Sequence, residues 1–123
     1  MKYVEDMSQA KAFISEISRK HKTATHNCWA YKVNENGIKF NFSDAGEPHG
    51  SAGRPIFSAV ESLGMINVAV VVTRYFGGVK LGIRGLIDAY KFTAQRTLEN
   101  GEKGKYCPGI RFVVEMDYST WNF

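Results

Sequence analysis

Two glycine-rich stretches carry most of the side chains in this sequence that could do chemistry. Residues 44–55 read DAGEPHGSAGRP and contain two carboxylates, an imidazole and a guanidinium. Residues 74–85 read RYFGGVKLGIRG and contain three cationic side chains among four glycines. Glycine lets a ligand approach backbone N–H groups, and lysine and arginine bind phosphate. Paired carboxylates could instead serve as an acid and a base. The pattern therefore favours anion binding or acid–base catalysis.

The anion-binding interpretation gives each of these groups a role. The predicted contacts to an anion are four cations and two glycines: Arg54, Arg74, Lys80, Arg84, Gly77 and Gly78. The side chains predicted to line the same site are His26, Asn27, Asp44, Glu47, His49, Tyr75 and Phe76. Among them, the rings of Tyr75, Phe76 or His49 could stack on an unpaired base.

Structural roles stay open for four of these side chains. Arg54 and Arg74 could be buried arginines that pair with Asp44 or Glu47 instead of facing a ligand. The two carboxylates are as easily acceptors of loop hydrogen bonds as an acid–base pair. The residue types alone do not choose between these roles.

Secondary-structure signals place both stretches at the ends of regular elements. Residues 67–73, NVAVVVT, form a short valine-rich run, which predicts a strand covered on both faces at the centre of a sheet. Pro55 suits the first turn of a helix that ends at Gly64. A second major helix follows residues 74–85. Its predicted apolar stripe is Leu86, Ile87, Tyr90, Ala94 and Leu98. Ligands often bind at such strand ends, and helix N-termini attract anions.

Alternating hydrophobicity predicts a β-hairpin before the first stretch. Residues 25–33 and 38–43 alternate with a period of two, and Asn36-Gly37 between them is a strong turn signal. The hairpin should bring His26 and Asn27 to the end of the sheet at which Asp44 follows. There the two side chains could line the site or fix the first loop. Ser8 is predicted to cap an earlier helix, and residues 110–118 alternate well enough for a further strand.

Composition sets the outer bounds. The chain has 123 residues, 44% hydrophobic and 23% charged, as expected for one globular domain. No apolar run approaches the roughly 20 residues that cross a bilayer, and the start of the sequence does not resemble a signal peptide. We therefore predict a cytoplasmic location and no membrane contact. The formal net charge is +4, and residues 74–105 carry seven basic and three acidic side chains. This excess suits a polyanion, although part of it could be a solvated helix face.

The two cysteines, Cys28 and Cys107, are expected to be free thiols. His26, Cys28 and His49 could be drawn together as metal ligands, but no fourth ligand is evident. Cys28 could also be a nucleophile beside His26, yet nothing in the sequence lowers its pKa, and a packed strand cysteine is the favoured interpretation. We predict neither a metal nor a cofactor.

Three ordered blocks resemble one known family. EPHGSAGRP, then VVVTRYFGGVKLGIRGLIDAY, and before both THNCWAYKV, are similar to the signature of the amino-terminal domain of the YigZ/IMPACT family. The similarity covers roughly residues 8–101.

The resemblance implies an α+β fold in which a single sheet is backed by helices on one face. It implies the βαβ topology of a small-subunit ribosomal protein's second domain and of elongation factor G's fourth domain, with a left-handed βαβ unit. It also implies a strand before the first helix, here reduced to residues 2–4 or missing. Residues 1–104 would form this domain, and residues 105–123 resemble the first strand of a ferredoxin-like second domain.

Three functions are compatible with these patterns. The leading hypothesis is an RNA-binding or translation-regulatory module that uses the glycine-rich basic cleft. The resemblance agrees, because eukaryotic members of the family act in translational control by binding a ribosome-associated protein. The second hypothesis is a protein-interaction domain without RNA contact, anchored by Tyr75 and Phe76. The third is a hydrolase-like enzyme on a small phosphorylated or peptide substrate, with Asp44 and Glu47 as acid and base.

Overall fold

The computed structural model of the chain describes residues 1–76, 78 and 80–101. In chain order the elements are β1 (Lys2–Tyr3), α1 (Met7–Lys20), β2 (His26–Asn34), β3 (Ile38–Ser43), α2 (Gly53–Ser62), β4 (Val68–Arg74) and α3 (Gly82–Asn100). The predicted order is confirmed through α3, with the first strand reduced to two residues. The strand predicted at 110–118, and with it the predicted second-domain segment 105–123, lies outside the described residues.

The four strands form one antiparallel sheet in the order β1-β4-β2-β3. β2 pairs with β4 from His26↔Arg74 to Lys32↔Val68, so the valine-rich strand is an inner strand, as predicted. β2 and β3 form the predicted hairpin, and Asn36 and Gly37 take the positive φ angles that such a turn requires. The α+β class and the single sheet are therefore confirmed.

Helices cover both faces of this sheet. On one face, α2 and α3 pack against Cys28, Ala30 and Val70. On the other face, α1 packs against Tyr31 and Val33 of the same β2 strand. The expectation that all helices back one face is therefore wrong for α1. The prediction that β4 is covered on both faces is confirmed. Val68, Val70 and Val72 lie in the core below α2 and α3, and Ala69, which points to the opposite side of the strand, lies in the core below α1.

This arrangement constrains the handedness of the two crossover connections. β1 and β2 run parallel with β4 between them, and β3 and β4 run parallel with β2 between them. Because α1 and α2 lie on opposite faces, the two crossovers must have opposite hands. One of them is therefore left-handed, against the strong general preference. Which of the two it is stays a prediction.

The structure defines where each of the three helices begins. α1 is capped by Asp6, whose carboxylate accepts from the Gln9 N–H, and not by Ser8. α2 begins at Gly53, so Pro55 lies in its first turn as predicted, and a carboxylate from the preceding loop caps it there. α3 begins at Gly82, four residues before the predicted stripe. None of the described helices combines the length and the apolar surface needed to span a membrane.

Candidate functional site

The two glycine-rich loops meet at one end of the sheet. Residues 44–52 follow β3 and lead into α2, while residues 75–81 follow β4 and lead into α3. β2 begins at the same end, since His26 pairs with Arg74. The predicted convergence with the first loop is confirmed for His26, whose Nδ1 lies 2.9 Å from the Ala45 carbonyl.

Asp44 holds the first loop to α2. Its Oδ1 accepts hydrogen bonds from the backbone N–H groups of Ala52 (3.1 Å) and Gly53 (2.8 Å), and Oδ2 accepts from Gly50 (2.9 Å). Partial burial alone would raise the pKa of this carboxyl, but the three N–H donors outweigh it and lower the pKa. Asp44 is thus an ionised acceptor of loop hydrogen bonds, one of the two roles that the sequence left open.

Gly53 is required at the start of α2 by a close approach. A Cβ atom at this position would lie 2.7 Å from the backbone N and C of Ser43. The end of β3 and the start of α2 are therefore in direct backbone contact, with Asp44 spanning the gap.

Glu47 lies at the centre of the interface between the two loops. Its side chain is 1% exposed, and Oε1 accepts a hydrogen bond from Arg74 Nη1 at 2.6 Å. His26 Nε2 lies 3.1 Å from the same oxygen. Arg74 is therefore a partly buried arginine that pairs with Glu47, as the structural alternative predicted. Arg54, by contrast, is exposed and has no ion pair within the described residues.

Both ends of the Asn27 side-chain amide form hydrogen bonds within the fold. Its Oδ1 accepts from the Thr73 hydroxyl at 2.7 Å, and its Nδ2 donates to the His21 carbonyl at 3.2 Å. It therefore joins β2 to β4 and to the end of α1. Both of its polar atoms are used within the fold.

Cys28 and Tyr90 lie beneath the loops. The Cys28 thiol donates to the Asp44 carbonyl at 2.9 Å, and burial raises the pKa of the thiol to about 11. Burial and the neighbouring Cys28 thiol raise the pKa of the Tyr90 hydroxyl, which makes no well-formed hydrogen bond within the described part of the chain. Cys28 is thus a packed, protonated strand cysteine, which agrees with the favoured interpretation.

The exposed cations lie around the start of α3. Lys80 and Arg84 are exposed, and neither forms an ion pair within the described residues. α3 has no side-chain cap at its N-cap residue, Leu81, and no acidic residue in its first turn. Gly78, another predicted contact, is exposed with φ +88°, whereas Gly77 lies outside the described residues.

Apolar side chains share this exposed region. Tyr75 is 57% exposed and Phe76 51%, and the Tyr75 hydroxyl lies 2.9 Å from His21 Nδ1. The Arg74 guanidinium lies 5.4 Å from the centre of the Phe76 ring. Leu81 and Ile83 are 45% and 59% exposed, and sequence reasoning missed both as surface residues.

Ile83 gave no signal of its exposure. It precedes Leu86 by three residues, so its spacing resembles a continuation of the buried stripe. We call the exposed set the second-loop surface. It consists of Tyr75, Phe76, Lys80, Leu81, Ile83 and Arg84.

The remaining predicted site residue, His49, is exposed in the first loop. Its positive form would favour the ionised Asp44 nearby. Across the described residues, no three His, Cys, Asp or Glu side chains converge in a way that could hold a metal ion. His26 and Cys28 instead make the protein contacts given above.

Together these features define an α+β domain in which two glycine-rich loops, joined by a buried ion pair, meet at one sheet end. Residues 1–98 match the family model described as "Impact N-terminal domain". The chain belongs to the IMPACT family.

Relatives occur in bacteria and vertebrates. "IMPACT family member YvyE" of Bacillus subtilis is 45% identical over 87 residues, which are 71% of this chain and 40% of the relative. "IMPACT family member YigZ" of Escherichia coli is 30% identical over 118 residues, 94% of this chain and 58% of the relative. "Protein IMPACT" of Danio rerio is 32% identical over 84 residues, 64% of this chain and 26% of the relative. The chain thus spans only part of these proteins.

A crystal structure described as that of "an hypothetical protein" matches with a TM-score of 0.74 and 33% identity. The match covers 79% of this chain and 48% of that one.

Proposed function

We propose that the protein binds RNA through the second-loop surface, as part of a role in translation control in the cytoplasm. The observation that carries the proposal is the exposed start of α3, where Lys80 and Arg84 flank an uncapped helix N-terminus. Free N–H groups and the helix dipole favour a negative charge at this point.

Cations at this position work against helix stability. The positive end of a helix dipole repels lysine and arginine by roughly 0.3–1 kcal/mol per charge, whereas acidic residues would stabilise it. α3 nevertheless has Arg84 and no acidic residue in its first turn. A bound phosphate would reverse this unfavourable arrangement by accepting from the N–H groups and neutralising the cations.

Of the two helix N-termini at this end of the sheet, only that of α3 lacks a side-chain cap within the described residues, so we place the phosphate there. The N-terminus of α2 already holds the Asp44 carboxylate, which accepts from Ala52 and Gly53. Arg74 is neutralised by Glu47. The proposed phosphate contacts are therefore mainly Lys80 and Arg84, with Arg54 at the edge, while Arg74 supports the Phe76 ring.

The exposed rings supply the second part of the proposal. Tyr75 and Phe76 precede the cations by only a few residues, and unpaired bases stack on such rings with roughly 1–3 kcal/mol per base. A single-stranded RNA could therefore place a base on a ring and the adjoining phosphate at α3.

A charge-matched pair of variants tests the proposal. Lys80→Glu/Arg84→Glu lowers the formal net charge from +4 to zero, and so does the control Lys11→Glu/Arg96→Glu, whose exposed side chains lie on α1 and farther along α3. Binding to a fluorescent single-stranded RNA is measured by anisotropy at low salt. We expect the first variant to lose binding at least tenfold relative to the control. Equal losses in both variants would refute a localised site.

A second candidate function is docking of a protein partner, which the exposure of Leu81 and Ile83 favours. Neither apolar side chain has an evident role in RNA binding. A contact anchored by Leu81, Ile83 and Phe76 would persist at high salt, whereas phosphate contacts weaken steeply. Docking is favoured if Lys80→Glu/Arg84→Glu still binds a protein partner and Leu81→Ser/Ile83→Ser does not.

The third hypothesis, a hydrolase-like enzyme, has less geometric support. Asp44 accepts three backbone hydrogen bonds, and Glu47 is buried between Arg74 and His26. Neither carboxylate is presented to a substrate in this arrangement.

A further inference from the structure

His26 lies between two hydrogen-bond acceptors. Its Nδ1 is 2.9 Å from the Ala45 carbonyl oxygen, and its Nε2 is 3.1 Å from Glu47 Oε1. A neutral imidazole carries one N–H, so it can donate to only one of these oxygens. The other ring nitrogen would then point its lone pair at an acceptor.

Protonation of Glu47 is a poor way to resolve this conflict. The same Oε1 accepts a 2.6 Å hydrogen bond from the Arg74 guanidinium, which favours the ionised carboxylate. A doubly protonated His26 satisfies both contacts at once. It also adds a second cation to a carboxylate that is 1% exposed.

We propose that His26 is held as the imidazolium and acts with Glu47 as a proton-dependent latch that positions the proposed RNA site. The hydrogen bonds of His26 to the Ala45 carbonyl and to Glu47 hold the first loop against β2. Through Glu47 and Arg74 the latch reaches the second loop, where the guanidinium lies against the Phe76 ring. His26 and Glu47 are positioning residues in this proposal, because neither lies on the second-loop surface.

The charged and titratable groups in this region come from every neighbouring element. They are His21 at the end of α1, Cys28 on β2, Asp44, Glu47 and His49 in the first loop, Arg74 and Tyr75 at the end of β4, and Tyr90 on α3. Besides His26, this region therefore contains two further histidines, His21 and His49, whose ring signals must be assigned separately. With both ring nitrogens protonated, His26 donates to both oxygens, and with one proton lost it keeps only one of the two hydrogen bonds.

The protonation state can be measured without RNA. Long-range ¹H–¹⁵N spectra of the histidine rings distinguish an imidazolium from either neutral tautomer. At neutral pH we expect both His26 nitrogens to be protonated, with the Ala45, Glu47 and Phe76 amides shifting together when His26 titrates. A neutral His26 ring at neutral pH would overturn the proposal.

Matched variants test the effect on the site, a step that rests on the proposed function. His26→Gln keeps a hydrogen-bond donor but does not titrate, and the control His49→Gln removes an exposed imidazole from the first loop. We expect RNA affinity to fall about fivefold or more from pH 6 to pH 8 in wild type and in His49→Gln, a coupling of ordinary size. His26→Gln should lose most of this change.

The outcomes separate the latch from the RNA site. If wild type binds no RNA at either pH, the proposed function fails, while the ring spectra still decide the latch. If RNA binds and His26→Gln keeps the full pH dependence, His26 does not position the site and this inference is wrong.

Discussion

Replacing Asp44 by asparagine tests how the first loop is held to α2. Asparagine keeps one oxygen, which can still accept from Ala52 and Gly53, but it places an NH₂ group where Oδ2 accepts from Gly50 at 2.9 Å. The variant therefore loses one hydrogen bond to a charged group and sets two donors against each other. It also removes a negative charge from the N-terminus of α2.

The expected cost follows from these losses. A hydrogen bond to a charged group contributes roughly 1.5–3 kcal/mol, and a charge at a helix N-terminus roughly 0.3–1 kcal/mol. Asp44→Asn should therefore lower the free energy of unfolding by about 2–4 kcal/mol, or Tm by roughly 10 °C for a chain of this size.

The pH dependence has a defined sign. Because the folded-state pKa of Asp44 is lowered, its contribution is present above the ordinary carboxyl range near pH 4 and is lost as the pH falls below it. The stability gap between wild type and Asp44→Asn should therefore narrow in acid.

Urea unfolding at neutral pH measures the difference, with Asp88→Asn as the control. Asp88 is exposed on α3, and its replacement should change stability by less than about 0.5 kcal/mol. A change in Asp44→Asn no larger than that of the control would refute the assignment of Asp44 as the carboxylate that holds this loop.

Three further predictions concern the packing in and below the first loop. Gly53→Ala should destabilise the fold by about 3 kcal/mol or more in urea unfolding, because its Cβ would meet the Ser43 backbone at 2.7 Å; Gly50→Ala, with open space but φ +78°, should cost only about 1 kcal/mol. Cys28, with its pKa raised to about 11, should resist alkylation at neutral pH until the chain unfolds, and rapid labelling seen by peptide mass spectrometry would contradict its burial. Tyr90→Phe should change the free energy of unfolding by no more than about 1 kcal/mol, since the buried hydroxyl makes no well-formed hydrogen bond within the described residues and lies beside the Cys28 thiol; a clearly larger loss would contradict this weak contact.

Local patterns predicted most of the fold. The alternation of residues 25–33 and 38–43 gave the hairpin, because each strand must present one apolar side to a core. The valine run was recognised as an inner strand for the same reason. Pro55 lies in the first turn of α2, as predicted, but the cap of that helix was not predicted, because Asp44 lies nine residues before Gly53 and such a distant cap has no local signature.

The site shows the same limit. The order of strands and loops predicted that the two loops meet. It could not predict whether Arg74 faces a ligand or Glu47, because the Arg74–Glu47 pair joins residues 27 positions apart. The sequence also could not predict which face of the sheet α1 covers, because the apolar stripe of a helix is the same whichever face it packs against. The remaining site assignments are still predictions.

The salt dependence of RNA binding tests the central claim most directly. Observed affinity for a single strand falls with salt concentration with a log–log slope of roughly 0.7 per phosphate contact. If Lys80 and Arg84 each contact a phosphate, Lys80→Ala/Arg84→Ala should bind more weakly and with a slope shallower by about 1.4 than that of wild type. An unchanged slope, or no RNA binding by wild type at low salt, would contradict the proposed RNA site.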